Sequence, residues 1–276
     1  MTNTEFLYHY TSIETLALIL KNRTIRFNSL DKMDDLQEKE TADIKNIGKF
    51  CYISSWSDNS VESIPMWREY ASINQGVRLK LKKNPFKIYR ISQDEIDFLT
   101  KHSLIFSNDL MASGTLIPIS TMSKNKFTSL NAIYKNILIK IEYTDDDTKL
   151  YPKLFIKNPE NPNRFTICMN KLGICKNTHW SYQNEWRYMF LIMPFNAFST
   201  NNSEDEFNIV ANQMRLGIAQ QPFDHFDLSI DDDAFNSMEI TMSPKISNGN
   251  RIVVQSLVEK YNNSAKLIES ELYGLI

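Results

Sequence analysis

Glycine is scarce in this chain of 276 residues, and where the glycines fall excludes more than their number does. Gly48, Gly76, Gly114, Gly173, Gly217, Gly249 and Gly274 never come close together. A Walker-type phosphate loop or a Rossmann dinucleotide fingerprint needs clustered glycines so that backbone N–H groups can approach phosphate oxygens, and neither can be drawn here. Histidine is equally thin: His9, His102, His179 and His225 are dispersed, and Cys175 and His179 lack companions, so no metal is expected. The three cysteines, Cys51, Cys168 and Cys175, form no close pair, which suits a reduced cytoplasmic protein better than a disulfide framework. No apolar run approaches bilayer length, and Met1-Thr2-Asn3-Thr4-Glu5 has neither the basic start nor the apolar core of a signal peptide. No membrane partner is expected. Net charge is lacking too: 31 basic and 33 acidic residues leave −2, which removes the bulk electrostatic footprint of a protein that coats nucleic acid.

What is present is enough apolar residue, 42% of the chain, for a substantial core. Residues 5 to 10 read as a strand ending in Tyr8-His9-Tyr10-Thr11. Thr11 and Glu14 then stand in capping-box spacing before Ile13, Leu16, Ala17 and Leu20, one face of an amphipathic helix. This places His9 to Thr11 at a strand end beside a helix N-terminus, where electron-rich ligand groups are favoured. Thr24 to Asn28 alternates as a strand, the acidic turn Met33 to Glu38 reads as a solvated loop or helix start, and residues 50 to 55 form a buried strand ending in Ser54-Ser55-Trp56-Ser57. Ser63 and Pro65 open a helix with Met66, Trp67, Tyr70 and Ala71 on one face, and Val77, Leu79 and Leu81 alternate with Arg78, Lys80 and Lys82 as a half-exposed strand. Later segments read as a helix at Gln93 to His102, a strand at Ile137 to Tyr143, and loops at Asp145 to Asp147, Asn158 to Asn163 and Asn201 to Asp205. A helix at Phe207 to Leu216 and strands near Phe226 and Ile240 follow. The chain then closes with a helix carrying Ile252, Val253, Leu257, Val258 and Tyr261, and a strand at Ala265 to Leu272.

The stretch Trp180 to Phe190 carries the chemistry. Glu185, Arg187, Met189 and Leu191 share one side of a strand, and Trp186, Tyr188, Phe190 and Ile192 the other. The second side is wholly apolar and reads as core. The first begins with an acid and a base and only then turns apolar, as at a sheet end that opens into a cleft. Glu185 is the candidate catalytic acid; its plain alternative is an ion pair with Arg187. No composition shift asks for a domain boundary, so the expectation is a single α+β domain over residues 1–276, with a mixed, mostly antiparallel sheet and surrounding helices.

Taken together, Tyr8-His9-Tyr10-Thr11, Met66-Trp67-Arg68-Glu69-Tyr70-Ala71 with Gln75-Gly76-Val77, Trp180 to Arg187, and Ile240 to Lys245 resemble a bacterial domain family of unknown function related to the ADP-ribosyltransferase fold. The resemblance implies a split sheet, insertions around 90–135 and 156–178, and NAD as co-substrate. In its terms His9 would bond the adenosine ribose, the backbone of Tyr10 would hold the nicotinamide amide, and Thr11 would support the turn. Glu185 would stabilise the oxocarbenium-like state as the ribose–nicotinamide bond breaks. Tyr70 or Trp67 would stack on the nicotinamide. Ser55 corresponds to the serine-rich strand of such transferases, and Asn28 joins the implied cofactor-binding set. Tyr10 stands where the better-known enzymes have glycine, and Asp34-Asp35 where the family has Asn-Asp. The implied role is a toxin or phage-defence effector, silenced by an antitoxin protein, that modifies a nucleic acid, RNA foremost, or a protein. Arg23, Arg26, Arg68, Arg78, Lys80, Lys82 and Lys83 would supply a modest basic groove. The alternatives are an inactive NAD or ADP-ribose sensor or interaction domain, and an NAD hydrolase.

Overall fold

Alternation from Thr24 to Asn28 is realised in three dimensions: Ile25 and Phe27 are buried while Arg26 and Asn28 are exposed. The protein is seen as a computed structural model that describes residues 5–101, 114–135, 137–160, 165–198 and 204–276. In chain order the strands are β1 (Phe6–Ser12), β2 (Thr24–Ser29), β3 (Cys51–Ser57), β4 (Gly76–Lys82), β5 (Leu138–Lys140) and β6 (Glu142–Tyr143). They continue with β7 (Phe155–Lys157), β8 (Phe165–Ile167), β9 (Cys175–Lys176), β10 (Glu185–Leu191), β11 (His225–Ser229), β12 (Glu239–Met242) and β13 (Lys266–Ile268). Nine of them make one sheet in the order β11-β2-β3-β1-β4-β12-β13, with β10 on β3 and β5 on β10. Its pairings are antiparallel except β12 with β13, so the architecture is α+β with a mixed, largely antiparallel sheet.

The sheet divides at β3. Along one edge β3 is laddered over its whole length to β10, from Cys51↔Leu191 to Ser57↔Glu185. Along the other, Tyr52 and Ile53 meet the end of β2, and Ser57 meets Tyr8 of β1. Between those contacts β3 has no strand on that edge among the described residues. β1 and β2 diverge there because β1 turns away to ladder fully with β4, from Phe6↔Lys82 to Ser12↔Gly76.

A core lies on each face. Tyr188 and Phe190 pack with Leu7, Phe27 and Leu79, whereas Met189 packs with Ile53, Phe50 and Leu30. The wholly apolar side of β10 is therefore core, and the opposite side turns apolar only after Arg187. The helix Ile13–Asn22 buries Ile13, Leu16, Ile19 and Leu20, but its cap is Ser12, whose hydroxyl accepts from the Thr15 N–H at 3.2 Å. Thr11 instead stays inside β1 opposite Val77.

Several expected elements are shaped differently. The helix opened by Ser63 is α-helical only over Ile64–Met66 and becomes a π-helix over Trp67–Ala71, a form common at functional sites. The segment 137–143 is not one strand: buried Ile141 divides β5, which pairs with β10, from β6, which pairs in parallel with β9. The last helix, Asn248–Tyr261, buries Val254 and Val258 and leaves Ile252 and Val253 exposed, so its apolar stripe is rotated from the expected one. Only Lys266–Ile268 of the closing segment is strand. The helix at residue 93 is seen as Gln93–Lys101; His102 lies outside the described residues, as do Asn161 to Asn163 and Asn201 to Ser203 of the expected loops.

Candidate functional site

Asn184 is left-handed, with φ 44° and ψ 50°, a conformation asparagine tolerates better than most residues. It turns the 3-10 stretch Thr178–Gln183 sharply into β10, so that Glu185 is the first residue of the strand. The Glu185 N–H donates to the Tyr143 hydroxyl at 2.8 Å, and its carbonyl accepts from the Ile141 N–H at 3.0 Å. The backbone under the candidate acid is thereby fixed on both sides.

Glu185 is 2% exposed, and its side chain enters a four-charge cluster. Arg187 donates through Nε to Glu185 Oε1 at 2.9 Å, through Nη1 to the Gly173 carbonyl at 2.8 Å, and through Nη2 to Glu38 Oε1 at 2.8 Å. Lys176 Nζ lies 2.9 Å from Glu185 Oε2 and 3.6 Å from Glu38 Oε1. Two cations thus face two carboxylates, and the cluster is neutral as a whole. Burial by itself would raise the Glu185 pKa, but Arg187, Lys176 and the Ser55 hydroxyl together hold it below the ordinary carboxylate range. For Glu38 burial wins: its pKa is raised, Arg187 and Lys176 offsetting only part, with the Glu185 charge adding to the rise. Arg187 is raised, its two carboxylate partners outweighing the burial that would lower it.

This cluster closes one end of a cavity of about 100 Å³ at the division of the sheet. Of the residues expected at the site, Glu185, His9, Tyr10, Ser55 and Tyr70 line that cavity. His9 Nδ1 donates to the Ser55 carbonyl at 2.8 Å, and the ring stacks obliquely on Trp56 with centroids 5.0 Å apart. The Tyr70 hydroxyl accepts from Gln183 Nε2, which steadies the ring at the cavity wall. The Tyr10 hydroxyl faces away and accepts from the Ser63 N–H at 3.1 Å, while its ring packs edge-on against Trp67.

Thr11, Asn28 and Trp67 are not brought to the cavity. Thr11 is held in the β1–β4 ladder, and Asn28 is exposed on β2 opposite His225. Trp67 is fully buried, and its Nε1 donates to Glu62 Oε2 at 2.8 Å, so of the two aromatic nominees only Tyr70 reaches the site. Four of the seven residues expected to form a basic groove are engaged within the protein. Arg78 is buried with its guanidinium 4.7 Å from the Tyr8 ring, and Arg23, Arg26 and Lys80 are paired with Asp232, Asp227 and Glu239.

Four buried lining residues, Asp35, Glu38, Lys176 and Gln183, escaped the sequence reading. The turn Met33 to Glu38 is not solvated throughout, because Asp35 and Glu38 are buried. Lys176 and Gln183 sit in segments whose polar composition reads as surface. Only the proximity of Glu185 and Arg187 hinted that further charges were needed. Among the described residues no cluster of His, Cys, Asp and Glu has the makings of a metal site, and no helix is long and apolar enough to cross a membrane.

Comparison with curated proteins and with solved structures finds no match. Tyr70, Lys176, Glu185 and Arg187 lie within a segment that a family model matches, and His9, Glu38 and Ser55 lie outside it. Residues 66–188 match the model of a family described as a protein of unknown function (DUF2971).

Proposed function

We propose that the cavity takes the nicotinamide–ribose end of NAD and that the protein is an NAD-dependent ADP-ribosyltransferase with Glu185 as its catalytic carboxylate. The observation that carries this reading is the meeting of Glu185 with His9, Tyr10, Ser55 and Tyr70 around one cavity, from segments far apart in the chain. Ligand pockets for whole drug-sized molecules run to roughly 300–1,000 Å³. A cavity of about 100 Å³ suits a single ring, with the rest of a dinucleotide lying outside it.

Each lining residue has a task in this reading. With Nδ1–H given to Ser55, the neutral His9 ring keeps Nε2 as an acceptor for a ribose hydroxyl. Beyond Tyr8, the β3-facing edge of β1 pairs with no strand among the described residues, which leaves backbone groups near Tyr10 for an amide. Tyr70 stacks on the ring. As the ribose–nicotinamide bond breaks, its electron pair leaves with nicotinamide, and the ionised Glu185 stabilises the positive charge left on the sugar.

A second reading, binding without turnover, is favoured by the engagement of both Glu185 oxygens by Arg187 and Lys176. Labelled NAD incubated with protein and lysate separates the two, with nuclease and protease digestion naming the acceptor. Label transfer by wild type and none by a folded Glu185→Gln variant is the expected result. NAD binding with neither nicotinamide release nor transfer would leave the sensor.

A further inference from the structure

Glu38 contributes the second carboxylate of the cavity. Its side chain is 1% exposed, and Oε1 is held by Arg187 Nη2 at 2.8 Å. Oε2 has no hydrogen-bond partner among the described residues. A buried carboxylate oxygen left without a donor costs free energy, and in a cavity wall it marks a place where a ligand hydrogen belongs. Glu185 Oε2 likewise makes no hydrogen bond among the described residues, but Lys176 Nζ lies 2.9 Å from it, while Arg187 holds Glu185 Oε1.

We infer that Glu38 is the general base of the site, taking the proton of the attacking hydroxyl while Glu185 stabilises the sugar cation. The inference rests on the transferase reading above. In the step, the oxygen of an acceptor O–H forms a bond to the ribose carbon as that carbon loses nicotinamide. The N-glycosidic electron pair departs with neutral nicotinamide, and the acceptor proton passes to Glu38 Oε2. One bond to carbon forms, one breaks, and the positive charge of the pyridinium leaves as the proton held on Glu38.

The electrostatics suit the division of labour. Two carboxylates in one site are useful when their environments push their pKa values apart, one remaining ionised and the other exchanging a proton. The groups facing Glu38 are Arg187 and Glu185 from β10, Lys176 from β9, Tyr143 from β6 and Cys51 from β3. Burial pushes Tyr143 and Cys51 each up to about 12, so neither competes for the proton near neutrality. A base works best with a pKa near the working pH, and raising a carboxyl moves it in that direction.

The test follows nicotinamide release and label transfer from NAD to lysate acceptors across pH, for wild type and Glu38→Gln. Wild-type transfer should rise with pH as Glu38 loses its proton, and Glu38→Gln should lose that rise and fall by about 100-fold or more. A variant that is slower but keeps the wild-type pH profile would make Glu38 part of the ion-pair scaffold and overturn the inference. Equal activity in the two proteins overturns it as well while leaving the transferase reading in place. No nicotinamide from wild type at any pH overturns both. Because Glu38→Gln leaves a cation in excess and can fail to fold, the carboxyl groups of wild type are also titrated by carbon-13 NMR. Glu38 should take up its proton at a higher pH than Glu185; the reverse order would end the proposal.

Discussion

The His9 imidazole donates to the Ser55 carbonyl across the division of the sheet, joining by a side chain two strands whose backbone ladder has already ended. Burial lowers the His9 pKa, with the bond to Ser55 acting the other way. The unfolded chain therefore binds a proton at higher pH than the folded one. The His9 contribution to stability is whole above the ordinary histidine value of about 6.5 and is lost as pH falls through the folded-state value. In urea titrations His9→Asn should cost about 1 kcal/mol at about pH 7.5 and less at about pH 5.5. An equal loss at both would mean that the ring is not held neutral.

Arg187 is fully buried between Glu185 and Glu38, so removing it strands two carboxylates. Arg187→Met should destabilise the protein by about 3–5 kcal/mol, with little dependence on salt because the pairs are out of solvent. The Glu185 pKa is depressed, so the stability it gains from ionisation is present above the usual carboxylate value and lost as pH falls through the folded one. The Arg187→Met penalty should accordingly shrink in acid. Denaturant midpoints at several pH values check both statements.

Glu62 ties the C-terminal segment to the π-helix: Oε2 accepts from Trp67 Nε1 at 2.8 Å and the Ser270 hydroxyl at 2.7 Å, and Oε1 accepts from the Glu271 N–H at 2.8 Å. Trp67→Phe should cost about 1–3 kcal/mol of stability and leave NAD affinity alone. Tyr70→Ala should do the opposite, weakening NAD binding with a near-normal melting temperature. Calorimetric titration alongside thermal melts distinguishes them, and a loss of affinity in Trp67→Phe would return that ring to the site.

Two glycines should respond in opposite directions. A Cβ on Gly76 would stand 1.8 Å from the Ala71 carbonyl oxygen, a backbone atom that cannot swing aside. Gly76→Ala should lose more than about 4 kcal/mol and fail to accumulate as folded protein. A Cβ on Gly249 meets nothing closer than Ser247 Oγ at 4.0 Å, and Gly249 lies in the helix Asn248–Tyr261. Gly249→Ala should add about 0.4–1 kcal/mol, read as a raised melting temperature.

The strands were legible where the side-chain period was clean. From Glu185 to Leu191 one side is apolar throughout and the other turns apolar after Arg187, and the apolar parts of the two sides meet the two cores. That register set Glu185 at a strand beginning, whereas its convergence with His9, Ser55 and Tyr70 was expected only from the family resemblance. Glu38 and Lys176 were not expected there, since an acidic turn and a lone lysine look solvated unless their partners are known, and those partners lie far along the chain. Trp67–Ala71 shows why helix type escaped notice: Trp67, Tyr70 and Ala71 are spaced as on an α-helix, yet the segment is a π-helix whose last residue, Ala71, packs against Gly76. In the last helix, Ile252, Val253 and Val254 are consecutive, so composition alone leaves its rotation open.

The bond between Arg187 and Glu38 spans 149 positions of sequence. Closing so long a loop is slow relative to making local contacts, and the contact rewards the chain only once β3 and β10 are already laddered between its ends. Helix Ile13–Asn22 and the β1–β4 pairing can form from the first third of the chain, whereas the buried charges cannot be neutralised before residue 187 arrives. Competence of the cavity is thus a late event in folding, and refolding followed by Tyr70 or Trp180 fluorescence should lag behind the appearance of backbone structure.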